Sequence, residues 1–225
     1  MEHLLNNPVY NALLTGDAPL GLGTGKVKYF EASISPFAGF DNKYENGFED
    51  LRNLLPQDRK IIYATPTPIN TPTGWKLLAG IPGLQFVLDK YVAIENITAP
   101  VPLSEENVEA MMKLTALTKP GPFDKRTIEF GYYHGIFQNG ELAAMTGQRL
   151  HVANFTEISA VCTHPNYLGK GFAGTLLHHQ VDLILRMKQT PFLHVRADNI
   201  RAIELYKRIG FVVSRPMYFY FLQKE

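Results

Sequence analysis

A glycine-rich loop with one lysine is the segment whose residue types most directly suggest chemistry. It lies in "YLGKGFAGTLLHHQ", residues 167–180, where Gly169, Lys170, Gly171 and Gly174 precede an apolar stripe of helical spacing. A helix leaves about four N–H groups unpaired in its first turn, and its dipole adds roughly half a positive charge there. Glycines remove the Cβ atoms that would hold a phosphate at a distance. The loop predicts either a phosphate-binding site or an ordinary start of a core helix.

Two common phosphate-binding patterns are absent. A P-loop needs glycine, four residues and then Gly-Lys-Ser/Thr, and residues 167–180 do not match it. The other glycine cluster, "GLGTGKV" at residues 21–27, fails because Leu20 stands where the first glycine should be and Val27 replaces the hydroxyl residue. It also fails the G-x-G-x-x-G pattern, since Lys26 occupies the third glycine position. We interpret this cluster as a turn that leads into a strand.

Two parts of different composition meet near residue 100. The first part is rich in Pro, Gly and Asn, and its patterns predict three strands, "GKVKYFEASI", "RKIIYATPTPI" and "GLQFVLDKYVAI", and one short helix, "YENGFEDLRNLL". The aromatic residues Tyr29, Phe30, Phe37 and Phe40 are expected to be buried where this part packs against the second. We predict residues 1–99 as an N-terminal α/β part and residues 100–225 as a separate domain.

The second part has the more regular pattern, in the order helix, hairpin, strand, helix, strand, helix, strand. Its signals are an N-cap at Ser104, the turn pair Asn139-Gly140, a helical stripe of Leu177, Val181, Ile184 and Leu185, a cap at Asn199 and a stop at Gly210. This order implies helices on the faces of a mixed sheet. The predicted fold class is therefore α/β (α+β).

The composition argues against several classes of protein. The 225-residue chain carries a net charge of +1, which does not favour a nucleic-acid or membrane surface. No secretory signal is recognised at the N-terminus, and no stretch reaches the ~18 apolar residues of a membrane helix. The single cysteine, Cys162, rules out an internal disulfide and is typical of a reducing compartment. We expect a cytoplasmic protein without nucleic-acid or membrane partners.

Two motifs in the second part resemble the acyl-CoA core of the GNAT superfamily of N-acetyltransferases. One is V-x-T-x-P-x-Y-x-G-x-G-x-A-x-x-L and the other is N-x-x-A-x-x-L-Y-x-x-x-G-F, both within residues 157–213. Within the superfamily, the sequence of these motifs is most similar to the branch of glycine N-acyltransferase-like C-terminal domains. Gly171 and Ala173 fill the small positions of the family's loop, while Leu168 replaces its usual Gln or Arg. The resemblance implies a mostly antiparallel mixed sheet and acetyl-CoA as co-substrate, with no metal.

The resemblance also implies which residues contact CoA. The pyrophosphate would be held by N–H groups of Leu168, Gly169, Lys170, Gly171, Phe172, Ala173, Gly174 and Thr175. The pantetheine arm would pair with the strand residues Val161, Cys162 and Thr163, which could equally form an ordinary central strand. Asn199, Tyr206 and, between them, Ala202 or Ile203 share one helix face toward the same arm, although capping alone could explain Asn199.

Two residues are the candidates for acid and base chemistry. Tyr206 matches the family tyrosine near the thioester sulfur and would protonate the departing thiolate; the alternative is a core tyrosine. Glu157 is the best candidate for a carboxylate base, because it lies at the start of the strand that leads to the glycine loop. The alternative is that Glu157 is an ordinary solvated carboxylate at the end of a strand. His134 is a weaker candidate. Strict alternation along the strand would place Ser159, Val161 and Thr163 on the face of Glu157 and Cys162 on the other, where we interpret Cys162 as core.

No metal site is predicted. His164 and the adjacent pair His178 and His179 are the candidates, but neighbouring helical residues point about 100° apart and do not converge.

The predicted function is direct transfer of an acetyl group from acetyl-CoA to a primary amine, on a small molecule or a peptide, within a ternary complex. Backbone N–H groups around Val161 would polarise the thioester carbonyl. The alternative is a non-catalytic acyl-CoA sensor. The N-terminal part would form a wall of the acceptor pocket, or be a decayed copy of the same fold. A homodimer is left open.

Overall fold

An eight-stranded sheet forms the centre of the molecule. The computed structural model describes residues 3–94 and 99–225. The strands are β1 Gly21–Gly23, β2 Val27–Phe30, β3 Ala38–Phe40, β4 Lys60–Thr65, β5 Trp75–Leu88, β6 Val101–Pro102, β7 His134–Gln138, β8 Glu141–Val152, β9 Phe155–Thr163, β10 Thr190–Arg196 and β11 Phe211–Lys224. The helices are α1 Pro8–Leu14, α2 Gly47–Leu54, α3 Val108–Thr118, α4 Phe172–Arg186 and α5 Ile200–Ile209.

The central sheet has the strand order β4-β11-β5-β10-β9-β8-β7-β6. Among its described pairs, only β9 and β10 run parallel. The strands β1, β2 and β3 form a small separate sheet. This mixed, mostly antiparallel sheet with flanking helices confirms the predicted fold class.

Helices cover both faces of the central sheet. On one face, α4 and α5 pack through Leu177, Val181 and Ile203 against Phe86 and Ile158. On the other face, α1 packs through Val9 and Leu13, and α3 packs through Met111 and Leu114, in a core cluster that includes Leu150 of β8. The helical stripe predicted for α4 is confirmed except for its last member, because Leu185 is 41% exposed.

Local signals set the ends of these elements as the sequence predicts. Asn139 and Gly140 both have positive φ, 53° and 80°, which is the backbone of a two-residue hairpin turn between β7 and β8. The Asn199 side chain accepts a hydrogen bond from the N–H of Ala202 and caps α5. Gly210 has φ 112° and ends α5.

The division at residue 99 cuts through the central sheet, and this corrects the prediction of a separate C-terminal domain. Strand β5 comes from the first part and lies between β10 and β11 from the second, while β4 pairs with the other edge of β11. The pairing of β5 with β11 extends from Phe211 opposite Leu88 to Lys224 opposite Trp75. Residues 100–225 therefore cannot form this sheet alone.

The four N-terminal aromatic residues are divided between two clusters. Phe30 and Phe37 are buried in the core shared with the second part, as predicted. Phe40 stacks instead on Tyr63, 5.0 Å between ring centroids, inside a cluster formed mainly by the first part, and Tyr29 packs against that same cluster. Phe30 and Phe37 thus lie at the predicted contact, whereas Phe40 and Tyr29 lie in a cluster to which the second part adds Leu222.

Candidate active site

The parallel strands β9 and β10 separate part-way along their length. They pair at Thr190 with Phe155, Pro191 with Thr156, and Phe192 with Glu157. Beyond that point β9 continues along β8, and β10 continues along β5. The two strands therefore form a V whose apex is the pair of Phe192 and Glu157.

A bulge in β9 lies just above this apex. The pairing with β8 shifts between Met145 opposite Cys162 and Gly147 opposite Ser159, and Ala160 has φ 54°. A bulge leaves one residue of the strand unpaired and changes which face the following side chains occupy. Positive φ is uncommon for alanine, and such backbone is concentrated at functional sites.

The bulge corrects one sequence prediction. Val161 packs toward α4 and α5, whereas Cys162 packs in the opposite core with Phe37. Cys162 therefore lies on the Glu157 side of the sheet, because the extra residue at Ala160 breaks the strict alternation on which the prediction rested. Burial raises the pKa of its thiol to about 11.

A cleft of about 790 Å³ opens between the arms of the V. One side of the cleft is formed by β9, by α5 and by the first turn of α4. The other side is formed by residues 118–122, at the end of α3 and just after it. The first part of the chain adds Phe37, Ile62 and Ile81 to its lining. The cleft also contains eight of the predicted site residues, namely Val161, Cys162, Thr163, Leu168, Ala173, Asn199, Ala202 and Tyr206.

Four polar side chains, which we call the polar row, cross adjacent strands at the apex. Arg149 of β8 donates two hydrogen bonds of 2.8 Å to Glu157 of β9. Nδ1 of His194 on β10 lies 2.7 Å from Oε1 of Glu157. Nε2 of His194 lies 3.0 Å from Nε2 of Gln85 on β5, which also donates to the carbonyl of Leu5. The row thus joins strands from both parts of the chain.

Glu157 is locked in this row and does not have the environment expected of a base. Its side chain is fully buried, which by itself would raise its pKa. The charge of Arg149 and hydrogen bonds from Arg149 and His194 outweigh this effect and lower the pKa of Glu157 to about 2. A carboxylate this acidic has little tendency to take a proton from an amine near neutral pH. Glu157 therefore forms a buried ion pair with Arg149, which is not the environment expected of a base.

The loop before α4 exposes glycine backbone that a ligand can approach. Gly169 and Gly171 have φ 82° and 81°, and a Cβ on either would meet nothing within 4 Å. The N–H groups at the two ends of the predicted set bond internally, Leu168 to Pro165 and Thr175 to Gly171. Residues 169–174 are therefore the donors that remain for a pyrophosphate, which narrows the predicted set.

The glycine loop also borders a neighbouring pocket of about 680 Å³. Of the predicted residues, it contains Lys170, Gly171, Phe172, Gly174 and Thr175. The start of α4 thus separates two concave surfaces, and Gly169 lines neither. On the side of the V, the buried Oγ1 of Thr163 has no hydrogen-bond partner among the described residues. An orphan hydroxyl and open glycine backbone fit a polar, phosphate-bearing ligand such as CoA.

Tyr206 lines the cleft with its ring held between two aromatic neighbours. The ring centroids of Phe86 and Phe211 lie 6.1 and 6.3 Å away. Burial raises the pKa of the phenol to about 12, so it stays protonated near neutral pH. Tyr206 can therefore donate a hydrogen bond into the cleft.

Sequence reasoning missed Arg149, His194 and Gln85. A signal was present, because each is a polar residue within an apolar strand, in "AAMTGQRLHV", "PFLHVRA" and "GLQFVL". Their convergence depends on strand order, which spacing does not reveal. His134 lies 4.3 Å from His179 between ring centroids, outside the cleft.

Residues 3–94 and 99–225 contain neither a metal-binding cluster nor a membrane-spanning helix. No group of three or more His, Cys, Asp or Glu side chains could hold a metal ion. None of the described helices has the length and apolar character needed to cross a bilayer.

The chain is similar to several known proteins. Residues 133–220 match the FR47-like protein family. A mycothiol acetyltransferase of Mycolicibacterium smegmatis is 32% identical over 80 residues, which are 34% of this chain and 27% of that enzyme. The ribosomal protein bS18-alanine N-acetyltransferase of Escherichia coli is 35% identical over 77 residues, 34% of this chain and 51% of that enzyme. The matched region thus spans about a quarter to a half of these curated relatives.

A crystal structure of a GNAT-family protein from Novosphingobium aromaticivorans matches the whole fold. It superposes with a TM-score of 0.92 at 32% sequence identity, and the match covers 100% of both chains. With the separated strands, the glycine loop and this full-length likeness, the protein belongs to the GNAT family of acetyltransferases.

Proposed function

We propose that the protein transfers an acetyl group from acetyl-CoA to a primary amine. The observation that carries the proposal is the V between β9 and β10, which opens a cleft directly beside the glycine loop at the start of α4. In this arrangement the pyrophosphate lies at the N–H groups of residues 169–174, and the pantetheine arm runs along residues 161–163. The N-terminal part contributes Phe37, Ile62 and Ile81 to the acceptor side.

The transfer proceeds directly, without an acyl-enzyme intermediate. The only cysteine, Cys162, is a poor nucleophile because its buried thiol has a pKa raised to about 11. The acyl group would therefore pass straight from the CoA sulfur to the amine. Backbone N–H groups at the bulge near Val161 polarise the thioester carbonyl.

Tyr206 stabilises the leaving group as a hydrogen-bond donor. A phenol with a pKa of about 12 holds its proton more tightly than a thiol of pKa ~8.5, so full proton transfer from Tyr206 is unfavourable. The phenol can still donate a hydrogen bond to the developing thiolate. The proton that the sulfur finally takes comes from the attacking amine, with Tyr206 bridging the two atoms.

Within the family, we propose that the C-terminal motifs descend from the glycine N-acyltransferase-like branch. The support is the second motif, in which Asn199, Ala202, Tyr206 and Gly210 stand at the spacing quoted above. This proposal concerns evolutionary descent only and does not specify the acceptor amine.

Calorimetry with acetyl-CoA and the pair Gly171→Asp and Gly171→Asn tests the CoA site. Both side chains tolerate positive φ and differ only in charge, so Asn controls for strain. We expect Asp to weaken binding at least tenfold more than Asn, because its carboxylate would face the pyrophosphate. Equal affinities of the two variants would contradict the site.

A thiol-release assay with wild-type protein tests the reaction itself. Acetyl-CoA and a panel of amines should give free CoA and the acetylated amine. Tight acetyl-CoA binding without release of thiol for any amine would instead support the acyl-CoA sensor.

A further inference from the structure

The lining of the cleft has an unusual charge balance for a site that accepts amines. Among the described residues, its lysine and arginine side chains are Lys119, Arg149, Arg196 and Arg201, and no Asp or Glu lines it. Glu157 lies behind Arg149, and both of its oxygens are engaged in the polar row. Arg196 is likewise paired, with Asp198 at 2.7 Å. An ammonium group that entered the cleft would therefore meet the positive charge of Lys119 and Arg201 and no carboxylate in the lining.

The cleft also lacks a side chain that is free to take a proton. The Cys162 thiol and the Tyr206 phenol are both protonated near neutral pH, because burial raises their pKa values to about 11 and about 12. His194 is the remaining group, and both of its ring nitrogens are engaged. Gln85 Nε2 donates to the Leu5 carbonyl and faces His194 Nε2, which must accept; Nδ1 then donates to Glu157.

The acceptor side of the cleft is apolar and aromatic. Its walls are Phe37, Ile62, Ile81, Phe219 and Phe221. The Phe37 ring lies 4.8 Å from the Arg149 guanidinium carbon, and the ring of Phe219 packs against His194 at 5.3 Å. The polar row is therefore covered by aromatic rings on the side where an acceptor would enter. Walls of this kind favour an apolar acceptor over a hydrated cation.

We infer, resting on the proposed acetyl transfer, that the acceptor is a weakly basic α-amino group on an apolar residue and that it binds already deprotonated. The amine nitrogen forms the C–N bond as the C–S bond breaks, and the amine proton passes to the CoA sulfur. The products are an amide and free CoA thiol, so the reaction balances without a protein base. The residue can come from a free aminoacyl compound or from the N-terminus of a peptide.

Four amines separate basicity from apolar character. Phenylalanine amide is weakly basic and apolar, and glycinamide is weakly basic and small. 2-Phenylethylamine is apolar and strongly basic, while Nα-acetyl-lysine amide is strongly basic with a polar body. With α-amino groups near pKa ~7.8 and alkylamines near ~10.4, the neutral fractions at pH 7.5 differ by about 10²-fold.

We expect kcat/KM from thiol release to be highest for phenylalanine amide at pH 7.5. It should exceed the value for 2-phenylethylamine by about 10²-fold and that for glycinamide by at least about tenfold. For 2-phenylethylamine, kcat/KM should rise about tenfold per pH unit between pH 7 and 9. A pentapeptide that begins with phenylalanine, compared with phenylalanine amide, shows whether a polypeptide or a small molecule is the better source of the same group.

Two results would overturn the inference while the proposed function stands. One is preference for Nα-acetyl-lysine amide, and the other is a kcat/KM for 2-phenylethylamine that is constant from pH 7 to 9. The second result would show that the enzyme binds the ammonium and removes its proton. Absence of thiol release with every amine, despite acetyl-CoA binding, would instead refute acetyl transfer and the inference with it.

The pair Ile81→Glu and Ile81→Gln tests the charge argument within the cleft. Ile81 is half-buried, so both side chains can reach solvent. The Glu variant should gain at least about fivefold on Nα-acetyl-lysine amide relative to phenylalanine amide, compared with Gln. Equal selectivity in the two variants would contradict the inference that missing carboxylates exclude cationic acceptors.

Discussion

Replacement of Glu157 by glutamine is expected to destabilise the fold strongly. The carboxylate is fully buried, and it binds the Arg149 guanidinium through two hydrogen bonds of 2.8 Å. Glutamine keeps the shape and one acceptor oxygen but places an NH₂ group against an N–H donor of Arg149. It also leaves Arg149, a residue that is only 9% exposed, without its counter-charge. Breaking a buried ion pair in this way costs about 3–5 kcal/mol.

The pKa of Glu157 gives an independent magnitude. It falls from 4.5 to about 2 in the folded protein. At ~1.36 kcal/mol per pKa unit, this difference corresponds to about 3 kcal/mol of stability near neutral pH. Urea denaturation followed by circular dichroism measures the loss, with Glu45→Gln as the exposed control that should stay within about 0.5 kcal/mol of wild type. A loss below about 1 kcal/mol for Glu157→Gln would refute the ion-pair argument.

A double variant separates stability from chemistry. Arg149→Met with Glu157→Leu removes both charges together, and we expect it to recover most of the stability lost by Glu157→Gln. If the folded double variant still transfers acetyl groups, Glu157 is not the base. Complete loss of turnover with unchanged acetyl-CoA affinity would restore the original interpretation of Glu157 as base.

Three further predictions follow from the same structure. Tyr206→Phe keeps the ring packed against Phe86 and Phe211. It should lower turnover by about 10²-fold and leave the affinity for acetyl-CoA unchanged. Full turnover at every pH would exclude Tyr206 as a hydrogen-bond donor to the leaving group. Residues 100–225 expressed alone lack β5 and should show no cooperative thermal unfolding; a folded fragment that binds CoA would contradict this. Because the pKa of Glu157 is depressed, its contribution to stability is present above pH 4.5 and should be lost as pH falls from about 4.5 to about 2, and acid titration of wild type against Glu157→Gln isolates it.

The sequence predicted the features that local backbone chemistry determines. The turn at Asn139-Gly140 and the ends of α5 at Asn199 and Gly210 depend on residues that favour positive φ or cap a helix, and each is where it was expected. Gly171 likewise starts α4 with φ 81°. Signals of this kind act within a few residues, so spacing alone identifies them.

The features that depend on distant parts of the chain could not be predicted in the same way. Strand β5 has an apolar pattern, but nothing in it indicates insertion between β10 and β11. The bulge at Ala160 has no glycine or proline to mark it, and its positive φ follows from the pairing of β9 with β8. The polar row brings residues 85, 149, 157 and 194 together only through the order of four strands.

The N-terminal part is needed for the candidate active site as well as for the fold. Beyond the apex, β10 no longer pairs through its backbone with β9, and residues 193–196 pair with residues 83–86 of β5. One arm of the V therefore takes its backbone partners from the first part of the chain. The same strand carries Gln85, which engages the ring nitrogen of His194 that Glu157 does not contact. Since β5 both supports the open strand and completes the polar row, the shape of the cleft depends on the first part of the chain as well as on the two C-terminal motifs.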